Sequence, residues 1–518
     1  MARNKVFIVL LALLVFRILL ASVIPVTGDE AYFAEWARHP DLCYYDHPGM
    51  VAWIMYPSFA LFGESLLSLR FQAVCAGILF AALAYSLGAR MYPGTRIPFR
   101  GLLLAGLVPF SAVLSVLVST DTPLTVFWTG ALVSFYAACT KNRLSLWILT
   151  GALAGCAFLS KFLAFGFLPA AFLYLLIAPG KRKLLKTPGP WAALAAAGVM
   201  FIPVLVWNYR NDWLTFSFNF VRRQGEMGFS WSSVLSYIGG QLLFFSPFAV
   251  AVPAVYVIRN VRACLRSEQD LFLAVFAAVP LGGFLCISFL RPVGGHWTAV
   301  ALVPLVLLCA RALESRGTGQ WKTVLYSGWG LSLFIVLVSL AVLIMGPRPL
   351  NRNLVRIGIA PDKAEWYTGI VFGNQRISSH ADALRLEHDG FCATGSYSLS
   401  SVLTFHSSSN VHYYVWGSAS FYGRNYDLWD DMSMMKGRTM IYTGFRTRID
   451  AAFVQKMLSH FSSLTMYSYN HSTAEDIVKH LGESNISGVC RSGPVELGAF
   501  VIITGKTFSG EELSNEAY

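Results

Sequence analysis

The chain has 518 residues, of which 55% are hydrophobic and 13% charged, and its mean hydropathy is +0.54. Soluble domains carry about 25% charged residues, and 14% aromatic residues within long apolar runs exclude a disordered or fibrous chain. The net charge is +12, but residues 346–518 hold 15 Lys and Arg against 16 Asp and Glu, so the positive surplus lies in the apolar part of the chain. A surplus placed there indicates membrane topology and not a nucleic-acid partner.

The first 345 residues contain nearly all the long apolar runs. A membrane-spanning helix needs about 20 apolar residues. The eleven predicted spans are residues 6–26, 67–89, 101–118, 122–140, 146–160, 162–179, 191–208, 236–258, 271–290, 297–313 and 323–345. The sequence therefore predicts a polytopic α-helical membrane domain over 1–345, with outer loops at 27–66 and 209–235, followed by a water-soluble domain over 346–518.

Basic residues alternate between the predicted loops. The N-terminus and the loops near 90–100, 141–145, 180–190, 259–270 and 311–322 hold 17 basic and three acidic residues, whereas the other loops hold seven basic and nine acidic ones. The positive-inside rule then places the N-terminus in the cytoplasm and, after an odd number of spans, the C-terminal domain outside it. Residues 1–24 share features with a secretory signal peptide, but their long apolar run favours an uncleaved first helix.

The first outer loop begins with an acidic pair, Asp29 and Glu30, directly after the first span. A carboxylate there can accept a proton from an attacking hydroxyl, position an amine or bind a cation. The alternative is structural, because Thr27, Asp29 and Glu30 also suit the N-terminus of a helix.

Further along the same loop, Tyr45, Asp46 and His47 precede Pro48, which fixes the turn that presents them. These three residues are predicted to bind substrate. A divalent metal, if one is used, would be held by Asp46 or His47, although one Asp-His pair is weak support for metal binding.

The remaining candidates lie near predicted outer ends of spans, where ionisable residues are costly and frequently functional. Asp121 opens a span and is also a good helix cap. The cationic candidates Lys161, Arg222, Arg223 and His296 can meet a lipid phosphate, with snorkelling to the interface as the alternative for Lys161. Carboxylates, cations and aromatics on one membrane face indicate an outward-facing site for an anionic lipid head-group.

Several segments in this order resemble the bacterial membrane glycosyltransferases of the GT-C fold, the family-39/83 group that includes protein O-mannosyltransferases and the aminoarabinose transferase of lipid A. They are GDEAYFAEWARHPDLCYYDHPGMVAWI, STDTPLTVFW, LSKFLAFGFLP, WNYRNDWLTFSFNFVRR and GGQLLFFSPF. The C-terminal SYSLSSVLTFHSSSNVHYYVWG…GRNYDLW is similar to the extracytoplasmic domain of the aminoarabinose-transferase-like members.

The resemblance implies transfer of a sugar from a polyprenyl-phosphate carrier to an acceptor at the outer membrane face, with inversion. It implies that Asp29 is the leading catalytic residue, that Glu30 and Asp121 act with it, and that Lys161 faces the donor phosphate. The aminoarabinose transferase has an acid, a lysine and two prolines where this chain has Asp46-His47-Pro48-Gly49. This departure leaves open the aminoarabinose substrate and any metal bound through the loop.

The function predicted from the sequence is an inner-membrane, inverting glycosyltransferase with a lipid acceptor such as lipid A or a lipopolysaccharide core. The alternatives are a protein O-mannosyltransferase and, in another class, a lipid-linked sugar transporter without chemistry. Transporters favour midplane sites and inverted repeats, whereas the acids here cluster at one face.

In the C-terminal domain, strands are predicted at VHYYVWG, RTMIYTGF and AFVIITGK and helices at WYTGIVFGNQRISSHADALRLE and AAFVQKMLSHF, with a strand and then a helix in FCATGSYSLSSVLTF. This alternation predicts a small α/β domain. Its task is predicted to be covering the active-site cavity or guiding the acceptor, with a purely stabilising role as the alternative. Cys392 and Cys490 form a disulfide only if this domain is extracytoplasmic and their distance allows it.

Overall fold

A computed structural model describes residues 2–114, 116–222, 228–314, 318–407, 411–416, 423–445, 448–449, 451–468, 486–491 and 500–511. The chain divides into two compact units. The first unit comprises Met1–Ile24 and Trp36–Leu337, and the second comprises Pro25–Glu35 and Val338–Tyr518. The sequence placed the boundary near residue 345, and no sequence pattern singled out Pro25–Glu35 as part of the second unit.

The helices are numbered in chain order. The first seventeen are α1 Ala2–Val23, α2 Gly28–Arg38, α3 Met50–Phe62, α4 Leu66–Met91, α5 Ile97–Leu107, α6 Pro109–Leu114, α7 Asp121–Lys141, α8 Leu144–Ser160, α9 Phe167–Ile177, α10 Pro188–Arg210, α11 Leu214–Phe220, α12 Trp231–Phe245, α13 Pro247–Arg259, α14 Val261–Arg266, α15 Glu268–Ser288, α16 Leu302–Ala312 and α17 Thr318–Met345. Short 3-10 helices cover Phe162–Gly166, Arg182–Lys186 and Gly295–Ala301.

All eleven predicted spans fall on helical segments. Among the described residues, seven helices are long and apolar enough to cross a membrane, and α12 with α13 forms one further, bent candidate. The predicted spans 101–118, 146–160 and 162–179 correspond to shorter apolar helices. The chain is therefore a multi-pass α-helical membrane protein, as the composition predicts.

The span predicted as one helix over 236–258 is bent by 105° between α12 and α13. Ser246 lies at the bend with φ of 71°, in the left-handed region that interrupts a helix. Pro247 follows, and its ring cannot supply the N–H that would continue the α12 hydrogen-bond ladder. Hydropathy alone does not detect this break, because the flanking residues on both sides are apolar.

Small residues bring the central helices together. A Cβ on Gly151 of α8 would lie 2.0 Å from the Ala193 carbonyl oxygen of α10, so only glycine allows this approach. The buried core nearby is aromatic, with the Trp128 and Phe135 rings of α7 each 5–6 Å from Phe167 of α9. Edge-to-face pairs of this kind fix relative helix positions beyond what area burial provides.

The second unit contains a six-stranded sheet and its own helices. The strands are β1 Phe391–Thr394, β2 Tyr413–Val415, β3 Met440–Phe445, β4 Ser463–Ser468, β5 Ile486–Arg491 and β6 Phe500–Lys506, in the order β2-β1-β3-β6-β4-β5. The helices are α18 Pro347–Arg356, α19 Pro361–Phe372, α20 Asn374–Glu387, α21 Tyr397–His406, α22 Tyr426–Trp429 and α23 Ala451–Leu458. The predicted α/β domain is confirmed.

The central strands β3 and β6 are buried on both faces. Ile441 and Ile502 pack with α20 and α21, whereas Tyr442 and Ile503 pack with α23 on the opposite face. Because both faces are covered, β6 reads as a nearly continuous apolar run rather than an alternating one. The sheet is mixed, since β6 runs antiparallel to both β3 and β4.

Candidate functional site

Three of the predicted site residues meet in the first unit. Lys161 Nζ lies 2.9 Å from Asp121 Oδ1 and 2.8 Å from Oδ2. His296 Nε2 lies 3.7 Å from Asp121 Oδ2. The Asp121 side chain is 3% exposed and that of Lys161 12%, whereas the His296 side chain is 41% exposed. The cluster is thus a buried ion pair with a partly exposed imidazole beside it.

Each member of this cluster lies at the end of a helix. Asp121 is the first residue of α7, where a carboxylate is stabilised by the helix dipole, and Lys161 directly follows α8, where a cation is favoured. The position of Asp121 at a helix N-terminus fits its alternative role as a helix cap, whereas Lys161 is paired with Asp121 and does not extend to the interface. The structure adds that the Asp121 and Lys161 charges meet. Burying two charges is costly unless their geometry is good.

The 3-10 helix that carries His296 is held by α12. Gln241 Nε2 donates to the Gly295 carbonyl oxygen at 3.2 Å, and its Oε1 accepts a hydrogen bond from the Thr298 hydroxyl. Gln241 lies in the GGQLLFFSPF segment. It is not among the site residues predicted from the sequence; the available signal is a single polar amide within an apolar run.

The segment with Tyr45, Asp46 and His47 is a tight, buried turn. The Tyr44 N–H donates to the His47 carbonyl oxygen at 2.9 Å, and the backbones of Cys43 and Pro48 pair as an isolated antiparallel β-bridge. Tyr45 and Asp46 are each 2% exposed. The Asn219 amide donates to the Asp46 carbonyl oxygen at 2.9 Å, which ties this turn to α11 in the other predicted outer loop.

The two predicted outer loops are joined at a second place. The Thr215 hydroxyl donates to the Tyr44 carbonyl oxygen at 2.9 Å, and Asn208 Oδ1 accepts from the Thr215 N–H at 3.1 Å. Asn208 is fully buried at the end of α10. Asn208 and Thr215 are not among the site residues predicted from the sequence, although both lie in the WNYRNDWLTFSFNFVRR segment.

Arg222 is exposed just beyond α11, and its Nη1 lies 3.5 Å from the Tyr45 hydroxyl. A guanidinium there can reach a phosphate while in contact with the buried turn. Arg223, the other predicted cation of this loop, lies outside the described residues.

Asp29 and Glu30 belong to the part of α2 that lies in the second unit, and their surroundings differ. Glu30 is fully buried, and its Oε2 accepts from the Thr27 N–H at 3.1 Å, while the Glu30 N–H donates to the Thr27 hydroxyl at 3.3 Å. This reciprocal arrangement is a capping box. Asp29 is exposed on the first turn of the same helix. The structural alternative thus accounts for Glu30, while the Asp29 side chain faces solvent.

A metal site would need several convergent ligands. Among the described residues, no group of three or more His, Cys, Asp or Glu side chains comes together. Asp46 and His47 therefore do not form a ligand set with a third side chain of these types in that part of the chain. The disulfide that the sequence left open between Cys392 and Cys490 does not form. Cys392 of β1 is a free thiol, and β3, β6 and β4 lie between β1 and β5, the strand that contains Cys490. With strands about 4.8 Å apart, the two residues are too distant to pair.

Comparison with known proteins identifies relatives of the membrane unit. The family described as dolichyl-phosphate-mannose-protein mannosyltransferase matches residues 46–207. The lipid A galacturonosyltransferase RgtD of Rhizobium johnstonii is 25% identical over 376 residues, 70% of each chain. The undecaprenyl phosphate-alpha-4-amino-4-deoxy-L-arabinose arabinosyl transferase of Pseudomonas aeruginosa is 29% identical over 313 residues, which are 58% of this chain and 56% of that one.

Solved structures share the fold over almost the full length. ArnT from Cupriavidus metallidurans in the apo state superposes with a TM-score of 0.64 at 14% identity, covering 97% of this chain and 98% of that one. The same protein bound to undecaprenyl phosphate gives a TM-score of 0.61 with the same coverage. The architecture, the family match and the curated relatives agree with each other and with the motifs. The chain shares the fold of these structures and is similar in sequence to the membrane glycosyltransferases named above.

Proposed function

We propose that this chain transfers a sugar from a polyprenyl-phosphate carrier to a lipid A-type acceptor at the outer face of the bacterial inner membrane. The observation that carries the proposal is the buried Lys161–Asp121 pair, a cation held in place at the end of two membrane helices. The relatives support it, since their names describe transfer to lipid A or from an undecaprenyl-phosphate sugar.

Lys161 is suited to bind the carrier phosphate. An ammonium group has three N–H donors, and two of them are directed at the Asp121 carboxylate oxygens. The third donor is left for an anionic ligand, and the low local dielectric strengthens such a contact. Asp121 thereby orients Lys161, and we assign it this role in place of proton transfer. His296 and Arg222 are two further side chains that can bind the phosphate.

Asp29 is proposed as the catalytic base. The acceptor hydroxyl attacks the anomeric carbon, its proton passes to the Asp29 carboxylate, and the bond between the anomeric carbon and the phosphate oxygen breaks. The carrier leaves as a polyprenyl phosphate monoester, so the single displacement inverts the anomeric configuration. General base action contributes about 10²–10⁴-fold, and positioning with charge stabilisation at the phosphate supplies the remainder.

The orientation in the membrane follows from the charge asymmetry of the loops. We propose that the N-terminus is cytoplasmic and that the C-terminal domain is periplasmic, because basic residues concentrate in the loops on one side. Accessibility labelling of single cysteines introduced near residues 29 and 183 distinguishes the two faces. Labelling at 29 by a membrane-impermeant reagent only from the cytoplasmic side would overturn the proposal.

The function is tested with the full chain in proteoliposomes containing lipid A. Separate reactions receive undecaprenyl-phosphate aminoarabinose, polyprenyl-phosphate galacturonic acid or polyprenyl-phosphate mannose, the last with a protein acceptor. Mass spectrometry of lipid A is expected to show one added sugar with one of the first two donors. Transfer of mannose to protein would favour O-mannosylation, and carrier translocation without any transfer would favour a transporter.

The base is tested by Asp29→Asn, which is expected to lower kcat by about 10²–10⁴-fold with the donor KM unchanged. Asp389→Asn is the matched control, because Asp389 is an exposed carboxylate in the second unit with φ of 47°. Asparagine tolerates this left-handed backbone, so the control is expected to keep its activity. Full activity in Asp29→Asn would remove Asp29 from the mechanism.

A further inference from the structure

The segment that carries Asp29 is anchored within the second unit by a buried polar pair. The Tyr32 hydroxyl donates to Asn425 Oδ1 at 2.9 Å and accepts from the Asn425 N–H at 3.2 Å. Tyr32 is 1% exposed and Asn425 2%. The Tyr32 hydroxyl thus pairs with both the side-chain oxygen and the backbone N–H of Asn425. The two residues are 393 positions apart in the sequence.

Aromatic contacts enclose this pair. The Tyr32 and Tyr397 ring centroids are 4.6 Å apart. The Arg424 guanidinium carbon lies 3.9 Å from the Tyr397 ring centroid and 5.8 Å from that of Tyr32. A cation over two aromatic faces stabilises the arrangement. Because Arg424 precedes Asn425, the same contact holds the backbone that presents the Asn425 N–H.

A second anchor lies at the start of α2. A Cβ on Gly28 would be 1.9 Å from the Ser398 hydroxyl oxygen at the N-terminal end of α21. The Ser398 hydroxyl occupies the space that a Cβ at residue 28 would take, so a larger residue there requires the Ser398 side chain to shift. Gly28 and Tyr32 therefore bracket Asp29, one position before it and three positions after it.

The other end of the same segment, at Glu35, interacts electrostatically with Tyr426. Glu35 is 1% exposed, and Tyr426 next to Asn425 donates to or accepts from the Ser401 hydroxyl at 2.9 Å. Burial, and then the negative charge of Glu35, raise the pKa of the Tyr426 phenol well above its usual value. The phenol therefore stays neutral and keeps its hydrogen-bonding proton at physiological pH.

We propose that the Tyr32–Asn425 pair sets the position of the Asp29 carboxylate for proton transfer, so that both are positioning residues of the sugar-transfer reaction. The inference rests on the proposed function. Residues at i and i+3 share one side of a helix and are about 4.5 Å apart along its axis, so fixing Tyr32 fixes the direction in which Asp29 points. A misplacement of about 1 Å can reduce a rate by about 10²-fold.

The pair is tested in the full chain in proteoliposomes, using whichever of the aminoarabinose and galacturonic acid carriers supports transfer. Tyr32→Phe removes only the hydroxyl and keeps the ring that Arg424 and Tyr397 contact. Tyr32→Phe and Asn425→Ala are each expected to lower kcat by about 10-fold or more with the donor KM unchanged. The double variant is expected to fall no further than the more affected single one, because one interaction is lost in all three.

Tyr56→Phe is the matched control, since Tyr56 of α3 is 52% exposed, and it is expected to leave kcat unchanged. Hydrogen exchange over residues 25–35 is expected to become faster in Tyr32→Phe and in Asn425→Ala only. Three results would each overturn the inference: an unchanged kcat in Tyr32→Phe, additive losses in the double variant, or a lower kcat without faster exchange. In each case, sugar transfer by the wild type would still uphold the proposed function. If the wild type transfers no sugar from any carrier, the proposed function fails and the inference falls with it.

Discussion

Lys161 Nζ and the Asp121 carboxylate form a buried pair in which the ammonium lies within 2.9 Å of both oxygens. The two residues are 40 positions apart. Their side chains come from opposite helix termini, the start of α7 and the end of α8, so each also interacts favourably with the dipole of its own helix. A cation fixed in this way loses little conformational entropy when a phosphate binds.

Breaking this pair at one side is expected to destabilise the protein, because an uncompensated buried charge remains. Lys161→Met should cost about 3–5 kcal/mol of unfolding free energy, and adding Asp121→Asn should recover part of it by removing the leftover charge. Transfer activity should stay low in both variants, because neither has the cation. Thermal unfolding in detergent and transfer assays in proteoliposomes measure the two effects. Recovery of activity in the double variant would contradict a role for Lys161 at the phosphate.

Arg222 is expected to affect donor binding with little effect on stability. Its side chain is exposed, and exposed charges contribute at most about 1 kcal/mol to folding. Arg222→Ala should raise the donor KM, and the difference from the wild type should shrink at high salt because the contact is screened. Arg210→Ala removes an exposed cation from the end of α10 and serves as the control. An equal rise in KM in both variants would indicate a general charge effect.

Residue types and their order predicted the candidates in the first unit, but not how they pair. Ionisable groups are costly near a membrane, which marks Asp121, Lys161 and His296 as candidates. Which helix ends meet depends on packing between α7, α8 and the Gly295–Ala301 segment, and hydropathy carries no such information. Similarly, the length of the apolar run predicted one span over 236–258, since the bend at Ser246 changes backbone direction without changing composition.

In the second unit, the predicted strands are the buried, apolar ones. β6, with the sequence FVIITGK, was predicted. β4 and β5, with the sequences SLTMYS and ISGVCR, were not predicted, because their polar residues weaken the strand pattern. The placement of Pro25–Glu35 in this unit was not predictable either. It depends on the Tyr32–Asn425 contact between residues 393 positions apart, for which a single sequence has no local signal.

Asp270 is the centre of a second buried polar cluster, at the start of α15. Its Oδ1 accepts from the Tyr92 hydroxyl at 2.6 Å and its Oδ2 from the Tyr256 hydroxyl at 2.7 Å, with Arg311 Nε 3.5 Å from Oδ1. Asp270→Leu should lower the unfolding free energy by about 1–3 kcal/mol, because the two phenol donors and Arg311 lose their acceptor. Asp270→Asn keeps one acceptor oxygen and should cost less.

Thermal unfolding of both Asp270 variants in detergent measures the loss. Transfer per folded molecule is expected to match the wild type, because the proposed site residues are not part of this cluster. A selective loss of kcat at unchanged stability would instead assign Asp270 a part in the reaction.

The stability of the second unit is expected to fall in mildly acidic solution. Burial lowers the pKa of His380, His406 and His460 below the usual value near 6.5. The unfolded chain then binds more protons than the folded one as pH falls below about 6.5, so the contribution is complete above this pH and is lost progressively below it. Hydrogen exchange of β1 and β6 in the full chain, corrected for intrinsic rates, should show reduced protection at pH 5.5 relative to pH 7.5.

His406→Leu should reduce this pH dependence, since leucine fills a largely buried site at the end of α21 without acquiring a charge. Exchange over α16 in the first unit is the internal reference, because it contains none of these histidines. A pH dependence of β1 and β6 that is equal in wild type and His406→Leu would locate the effect in other groups. Increased protection at pH 5.5 would contradict the predicted direction outright, because it requires the folded state to bind the additional protons.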